Sequence, residues 1–219
     1  MEYGLSIKNN HLYFGGADTV ELAKQYGTPL YVFDEQLIRE ACRDYKNSIE
    51  NYYDGNGMVL YASKAFSCKE MYRIANEEGI GVDTVSGGEI YTALSAGFPA
   101  ENIFFHGNNK TDAELEYAIE NGIGHIVIDD FGEIDRINEI AGKMGKKVTV
   151  MLRVKPGIDD PGIVLEDAVE HLDPVLGELS RTVEVILSIF LFRFFLDAFV
   201  HVLVAAEHGA QKRIDLALR

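Results

Sequence analysis

A repeat of 22 or 23 residues in the middle of the sequence restricts the fold more than any other feature. Short apolar segments begin at Val59, Gly81, Ile103, His125 and Val148, at spacings of 22, 22, 22 and 23 residues. Between successive segments, apolar residues recur at the spacing of one face of a helix. A strand and a helix that alternate within so short a period predict consecutive βα units, and therefore a parallel sheet.

The expected helix boundaries recur with the same period. Each helix begins with a residue that can accept backbone hydrogen bonds, followed three residues later by glutamate, which is the spacing of a capping box. These pairs are Ser67 with Glu70, Ser86 with Glu89, Thr111 with Glu114, and Asp130 with Glu133. Each helix also ends near a glycine that suits the left-handed position after a helix. These glycines are Gly79, Gly97, Gly122 and Gly145.

The loops decide between a barrel and an open doubly wound sheet. Ser86-Gly87-Gly88 lacks the GxGxxG spacing of a dinucleotide-binding turn, and no other predicted strand is followed by such a motif. The sequence therefore predicts an α/β fold, a partial (β/α) barrel of about five units that ends near Arg153. A five-unit sheet that does not close leaves exposed edge strands unless the C-terminal tail covers them.

Residues 1–30 precede the repeat and have a different pattern. The elements expected up to residue 33 are strands at 5–7 and 11–14 joined by Lys8-Asn9-Asn10, a helix at 19–26 and a strand at 30–33. Asp34 can cap a longer helix that runs to about residue 52 and has an apolar stripe along one side. The first barrel strand then follows a loop rich in glycine, aspartate and asparagine.

One lysine follows directly on the first strand of the repeat. Lys64 lies in the segment YASKAF (61–66), at the C-terminal end of the strand that begins at Val59. In α/β barrels this end of the sheet carries the chemistry. Partial desolvation there favours the neutral amine, which can react with a carbonyl group to form a Schiff base. Taken alone, this stretch is more typical of a lysine side chain that extends into solvent.

Polar residues also stand at the ends of the other predicted strands. Asp83, His106, Asp129 and Arg153 end or follow the second, third, fourth and fifth strands. Individually they fit a strand-end cap, a hydrogen-bonded polar group in the core, or half of an ion pair. Because the carboxyl ends of parallel strands meet at one rim of a barrel, their combination with Lys64 predicts a site for an anionic cofactor beside a nucleophilic amine.

Composition excludes several function classes. The 219 residues include 35 acidic and 20 basic ones, with a formal net charge of −15, which argues against nucleic acid or an anionic membrane surface as a partner. Cys42 and Cys68 provide neither a disulfide framework nor the spacing of metal ligands, so no metal is expected. The N-terminus lacks the pattern of a signal peptide, and we expect a cytoplasmic protein.

Five segments of the chain resemble the N-terminal barrel half of the diaminopimelate decarboxylases. They are YGTPLYVFD (26–34), YASKAF (61–66), GVDTVSGGEI (81–90), FFHGNNK (104–110) and MLRVKPG (151–157). Their order and spacing match that family from Gly27 to Gly157. The family is related to ornithine and arginine decarboxylases and to alanine racemases, which bind pyridoxal phosphate on a barrel.

The resemblance implies pyridoxal 5′-phosphate as the cofactor and gives roles to four residues. Lys64 would be the catalytic lysine that bonds covalently to the cofactor, and Asp83 would hold Lys64 and its surroundings in place. His106 and Arg153 would line the cofactor's side of the rim. The implied enzyme is a carboxy-lyase of lysine biosynthesis that decarboxylates a small amino acid, meso-diaminopimelate, to lysine. Intact relatives would be homodimers.

The resemblance ends after Gly157. Relatives continue with a strand that carries a second site histidine, a glycine-rich phosphate loop, a Glu-Pro-Gly-Arg segment and a β-domain, and no segment of residues 158–219 matches any of these. Residues 160–179 have the pattern of one or two acidic amphipathic helices. Residues 183–206 form an apolar run of 24 residues, long enough for a transmembrane helix. As a helix, however, this run would carry a stripe of charged and polar side chains in mid-span.

The sequence thus divides into a preamble at 1–30, a partial cofactor-binding barrel at 31–157 and an atypical, apolar and helical tail at 158–219. The tail fits a membrane span, a buried or oligomerising helix, or a frame-shifted or foreign C-terminus. Without the family's glutamate and phosphate loop, we expect decarboxylation to be impaired or absent. A non-catalytic remnant or cofactor-binding fragment stays open as an alternative, as does a membrane-associated or oligomeric protein that works through its tail.

Overall fold

The N-terminal residues form a small antiparallel sheet and a short helix. The computed structural model of the protein describes residues 4–153, 183–190 and 200–205. Its first elements are strands β1 (Leu5–Lys8), β2 (His11–Phe14) and β3 (Ala17–Asp18) and helix α1 (Thr19–Tyr26). Asp18 begins α1 by accepting hydrogen bonds from the backbone N–H groups of the first turn. The predicted hairpin and the predicted short helix are therefore confirmed.

The prediction of a strand at residues 30–33 was wrong. This segment has no regular secondary structure, and its described contact is aromatic: Phe33 stacks on Phe66 with ring centroids 4.7 Å apart. Tyr31, two residues earlier, is exposed. An apolar, β-prone segment becomes a strand only where a neighbouring strand takes up its backbone hydrogen bonds, and the local sequence does not reveal that neighbour.

Five parallel strands alternate with helices, as the repeat predicted. In chain order the elements are α2 (Glu35–Tyr53), β4 (Met58–Ala62), α3 (Lys69–Glu78), β5 (Gly81–Thr84), α4 (Gly87–Ser95), β6 (Ile103–Phe105), α5 (Asp112–Glu120), β7 (His125–Ile128), α6 (Phe131–Met144) and β8 (Val148–Arg153). Each strand from β4 to β8 pairs in parallel with the next. The α/β class and the partial barrel are confirmed.

Most of the predicted helix boundaries are observed. Ser86, Thr111 and Asp130 each accept a hydrogen bond from the backbone N–H of the glutamate three residues later. The prediction that Ser67 caps α3 was wrong. Cys68 occupies the N-cap position, and its side chain makes no capping hydrogen bond. The Ser67 hydroxyl instead lies 2.8 Å from the hydroxyl of Tyr72 in α3. The four predicted glycines have φ values of 63° to 77° at helix ends.

The alternation of side chains along the strands separates two apolar layers. One layer packs between the sheet and the helices, and the other fills the inside of the sheet with Leu60, Phe104, Val127 and Met151. Two residues beyond the last three of these come His106, Asp129 and Arg153. The inner face of the sheet therefore changes from apolar to polar at the carboxyl ends of the strands.

Two strands from the C-terminal part of the chain close the sheet. β9 (Val183–Phe190) pairs in parallel with β8, and β10 (Val200–Ala205) pairs antiparallel with β9 and β4, so that the strands form a closed barrel. The prediction of a helix across 183–206 was therefore wrong for these residues. Their valine and isoleucine content favours strands, and pairing satisfies the backbone groups at both edges of the five-stranded sheet.

The other expectations about the tail have different outcomes. The acidic helices predicted at 160–179 lie outside the described residues. Within the described residues, no helix is both long enough and apolar enough to cross a membrane.

Candidate functional site

Lys64 lies in a short 3₁₀ turn, Ser63–Ala65, directly after β4. Ser63 is buried, and its hydroxyl donates to Glu89 Oε1 at 2.7 Å and lies 3.1 Å from the carbonyl oxygen of Asp83. The turn is therefore fixed to β5 and α4. Lys64 itself is exposed, so the described part of the chain does not supply the enclosure that its strand-end position suggested.

The buried carboxylate of Glu89 connects this turn to the loop after β5. Its Oε2 accepts the backbone N–H of Val85 at 3.1 Å and the hydroxyl of Ser86 at 2.8 Å, while its Oε1 accepts the Ser63 hydroxyl. The sequence identified Glu89 only as the capping partner of Ser86. Its contact with Ser63 joins two βα units and has no local sequence signal, although a buried glutamate is unusual.

Asp83 and His106 lie side by side at the ends of neighbouring strands. Both are buried, and Asp83 Oδ1 is 3.6 Å from His106 Nδ1. The His106 backbone N–H donates to the carbonyl oxygen of Thr84 at 2.7 Å, which fixes the start of the loop after β6. Asp83 and His106 thus form a buried carboxyl–imidazole contact, which fits the interpretation of His106 as a polar group held in the core as well as its predicted place in a site.

Arg153 forms an ion pair with the acidic residue at the end of the preceding strand. Its Nη1 donates to Asp129 Oδ1 at 2.7 Å, and both side chains are partly buried. The backbone N–H of Asp129 donates to Glu133 Oε2 at 2.9 Å. This contact agrees with the ion-pair interpretation of Arg153 and places its guanidinium at the same rim as His106.

The four predicted site residues therefore share one rim, although they are not in mutual contact. The structure pairs Asp83 with His106 and Arg153 with Asp129, and it connects the turn of Lys64 to Asp83 through Ser63. A primary amine, a buried carboxylate, an imidazole and a guanidinium suit a small anionic molecule with an electrophilic carbonyl group. Among the described residues, no group of three or more His, Cys, Asp or Glu side chains could hold a metal ion.

An apolar cavity of about 800 Å³ lies on the other side of β4. Its lining includes Phe33, Cys42, Tyr61 and Phe66, from the segment before α2, from α2, from β4 and from the loop after the 3₁₀ turn. The four predicted site residues do not line it. The polar rim, which carries the ionisable groups, is therefore the better candidate for a reactive site.

Comparison with known proteins connects this rim to one family. The family model described as the pyridoxal binding domain of pyridoxal-dependent decarboxylases matches residues 35–166. The matched range contains Lys64, Asp83, His106 and Arg153, together with all five parallel strands from β4 to β8. The match thus covers the five parallel strands of the barrel and the rim at their carboxyl ends.

Individual relatives agree with this match. Over 152 residues the chain is 53% identical to diaminopimelate decarboxylase of Bacillus methanolicus, covering 69% of this chain and 35% of the relative. It is 44% identical over 193 residues to the Bacillus subtilis protein of the same name, covering 85% and 44%. A crystal structure of diaminopimelate decarboxylase from M. jannaschii in complex with L-lysine matches with a TM-score of 0.72 and 30% identity, covering 84% of this chain and 46% of that chain. The chain thus spans less than half the length of these relatives.

Proposed function

Because the chain belongs to the diaminopimelate decarboxylase family, through the pyridoxal-binding domain of the pyridoxal-dependent decarboxylases, we propose that its barrel rim binds pyridoxal 5′-phosphate. The observation that carries the proposal is the position of Lys64, directly after β4 within the matched domain and in a turn that Ser63 fixes to the neighbouring strand. A lysine held in this way at a barrel rim has an accessible amine for an aldehyde.

The side chains of the rim fit this cofactor by their chemistry. Lys64 supplies the amine that would bond to the cofactor's aldehyde carbon. Arg153 offers guanidinium N–H groups, which suit a phosphate or a carboxylate. His106 offers a flat ring beside a carboxyl group, and Asp83 places that carboxyl group on the strand next to Lys64. These are the residues that we propose hold the cofactor.

We further propose that the reaction served by this site is the decarboxylation of meso-diaminopimelate to lysine. The cofactor, when bound, supplies an electron sink for the electron pair left as the α-carboxylate departs. The chain's own residues would bind and orient the reactants: Lys64 offers its amine at the rim, and Asp83 Oδ1 lies 3.6 Å from His106 Nδ1, so that a carboxyl group and an imidazole adjoin each other at the same rim. The names of the relatives and the L-lysine in the M. jannaschii structure support this choice of substrate class.

A second candidate is cofactor binding without efficient decarboxylation. The observation that favours it is the exposure of Lys64, because exclusion of water strengthens the electrostatic interactions that catalysis uses. The two candidates share the covalent bond at Lys64 and differ in whether carbon dioxide is released.

The experiment that tests the proposal is an absorbance titration of the purified chain with pyridoxal phosphate, followed by borohydride reduction and mapping of the modified peptide. We expect an absorbance band that is trapped by reduction on Lys64. The variant Lys64→Ala should lose both the band and the label. Lys69→Ala, which removes an exposed lysine at the start of α3, is the matched control and should retain both.

The outcomes separate the candidates. Label spread over several surface lysines, or an unchanged band in Lys64→Ala, would contradict the site. Label on Lys64 together with carbon dioxide release from meso-diaminopimelate would support the decarboxylase. Label on Lys64 without release would support cofactor binding alone.

A further inference from the structure

A buried ion pair lies at the same rim, outside the four residues predicted from the sequence. Lys110 and Glu133 are 3% and 1% exposed, and the Lys110 ammonium nitrogen is 2.9 Å from Glu133 Oε1. The Lys110 ammonium also lies 5.7 Å from the centroid of the Phe105 ring. Lys110 belongs to the loop after β6 and Glu133 to the first turn of α6. The pair therefore joins two neighbouring βα units.

Each partner also binds the backbone of a loop that carries a rim residue. Lys110 donates from its ammonium group to the carbonyl oxygen of Gly107, in the loop that begins with His106. Glu133 Oε2 accepts the backbone N–H of Asp129 at 2.9 Å, and Asp129 is the ion-pair partner of the arginine that ends β8. One ion pair thus connects the loop of the imidazole to the loop that holds the guanidinium.

Stability alone does not account for such a pair. Burial of two charges has a desolvation cost that their attraction offsets only in part, and uncharged side chains of similar volume are often as stabilising. A fully buried pair with directed backbone contacts does, however, restrict the loops to one arrangement. The loop is tightly held at Gly107, where φ is 110° and an added Cβ would lie 3.0 Å from the carbonyl oxygen of Val85.

We propose that Lys110 and Glu133 are positioning residues of the rim, whose ion pair fixes the loop of His106 relative to the loop of Asp129. Neither side chain needs to touch a ligand for this role. The inference rests on the proposed function for the identity of the ligand, but the position of His106 can be measured in the protein without cofactor. The two proposals can therefore fail separately.

The test uses Lys110→Met/Glu133→Gln, which removes both charges together and keeps the size of the side chains. Lys110→Met alone would leave Glu133 Oε1 with Arg136 Nη2 at 3.8 Å, and Glu133→Gln alone would leave the buried Lys110 ammonium without the Glu133 carboxylate. The matched control is Lys143→Met/Glu139→Gln, which removes an exposed lysine–glutamate pair on the same helix, α6. Both double variants leave the net charge of the protein unchanged. An effect that appears only in the Lys110/Glu133 variant therefore reports the arrangement of the loops.

Two measurements follow. The first is NMR of the histidine rings in the cofactor-free protein, where His11 in the N-terminal sheet serves as the internal reference. The second is the affinity for pyridoxal phosphate by absorbance titration. In the double variant we expect a urea midpoint close to that of the parent, a shifted His106 ring signal, an unshifted His11 signal and an affinity about tenfold weaker. The control pair should change none of these quantities.

A folded double variant with the parent's His106 ring signal would overturn the positioning role, whatever its affinity. A parent protein that does not bind pyridoxal phosphate would contradict the proposed function, and the His106 signal would still decide the positioning role. If the double variant does not fold, Glu133→Gln removes the ion pair and keeps the size of the side chain and an oxygen for the Asp129 backbone N–H. An unchanged His106 ring signal in this folded variant would overturn the positioning role.

Discussion

Replacement of Glu89 by alanine is expected to destabilise the fold and to loosen the turn that carries Lys64. The Glu89 carboxylate accepts hydrogen bonds from Ser63 Oγ at 2.7 Å, Ser86 Oγ at 2.8 Å and the Val85 backbone N–H at 3.1 Å. Glu89 is only 8% exposed, so water does not readily take the place of the carboxylate. The substitution therefore leaves three polar groups without this acceptor.

The magnitude follows from these contacts. A hydrogen bond to a charged group contributes about 1.5–3 kcal/mol, so three of them set an upper limit of about 9 kcal/mol. The loss is smaller because the Ser63 hydroxyl keeps the carbonyl oxygen of Asp83 at 3.1 Å and Ser86 is only partly buried. We expect a loss of about 3–4 kcal/mol in the free energy of unfolding for Glu89→Ala, and about 1.5–2 kcal/mol for Ser63→Ala.

Urea denaturation followed by circular dichroism measures both values, and the double variant completes a thermodynamic cycle. Because Ser63 and Glu89 are in contact, their coupling energy should be about 1–2 kcal/mol. Glu116→Ala, at an exposed position of α5, is the control and should change stability by less than about 0.5 kcal/mol. Effects of Ser63→Ala and Glu89→Ala that add to within about 0.3 kcal/mol would refute the contact.

Three further predictions concern the backbone and the titratable groups. Gly107→Ala should lower the free energy of unfolding by about 1–3 kcal/mol because φ is 110° there, whereas Gly142→Ala, in open space on α6, should raise it by about 0.5–1 kcal/mol in the same urea assay. Burial lowers the pKa of His125 below its ordinary 6.5. The unfolded state therefore binds the proton more tightly, and the free energy of unfolding falls as the pH drops below 6.5. His125→Phe should weaken this dependence when urea midpoints are measured at a series of pH values below 6.5. Hydrogen bonds from two arginines lower the pKa of Glu78 from 4.5 to about 2, so its contribution to stability is present above pH 4.5 and is lost as the pH falls through 2. Glu78→Gln should therefore weaken the pH dependence of acid unfolding in this window, as monitored by circular dichroism. An unchanged acid-unfolding profile would show that the contacts of Glu78 with the two arginines do not contribute to stability in this pH range.

Local sequence signals predicted the parts of the fold that local interactions determine. Thr111 with Glu114 formed the expected capping box, and the five strands begin within one residue of the positions that the repeat predicted. The helix prediction for residues 183–206 failed because an apolar run suits a helix as well as a strand when its neighbours in the fold are unknown. Residues 183–190 and 200–205 form strands where two sheet edges need partners, and such non-local pairing leaves little trace in a short stretch of sequence.

The candidate site divides in the same way. Lys64, Asp83, His106 and Arg153 could be predicted to share one rim because each lies at or just after the end of a strand, and strand ends of a parallel sheet converge. The roles of Ser63 and Glu89 could not be identified, because their hydrogen bond joins residues 26 positions apart. Sequence spacing thus identified which side chains face the rim, but not which buried groups hold them there.

The capping-box glutamates show how one short motif can serve two structural levels. In α4, α5 and α6 the glutamate of each cap takes part in its own helix start, and each also contacts a loop or helix start of the preceding βα unit. These contacts are Glu89 with Ser63, Glu114 with the backbone N–H of Gly87, and Glu133 with Lys110. The same spacing therefore caps a helix and connects neighbouring loops along the rim.

The exception supports this interpretation. Glu70, in the first turn of α3, follows the first of the five parallel strands, where the described chain has no earlier βα unit whose loop it could reach. Glu70 is exposed and pairs with Arg73 on its own helix. Glu89 and Glu133 are buried and Glu114 is partly buried, whereas Glu70 has neither a formed cap at Ser67 nor a preceding βα unit to contact. Rim geometry in this half-barrel is accordingly transmitted from each unit to the next, so that a change at one loop is expected to affect the neighbouring rim residue first.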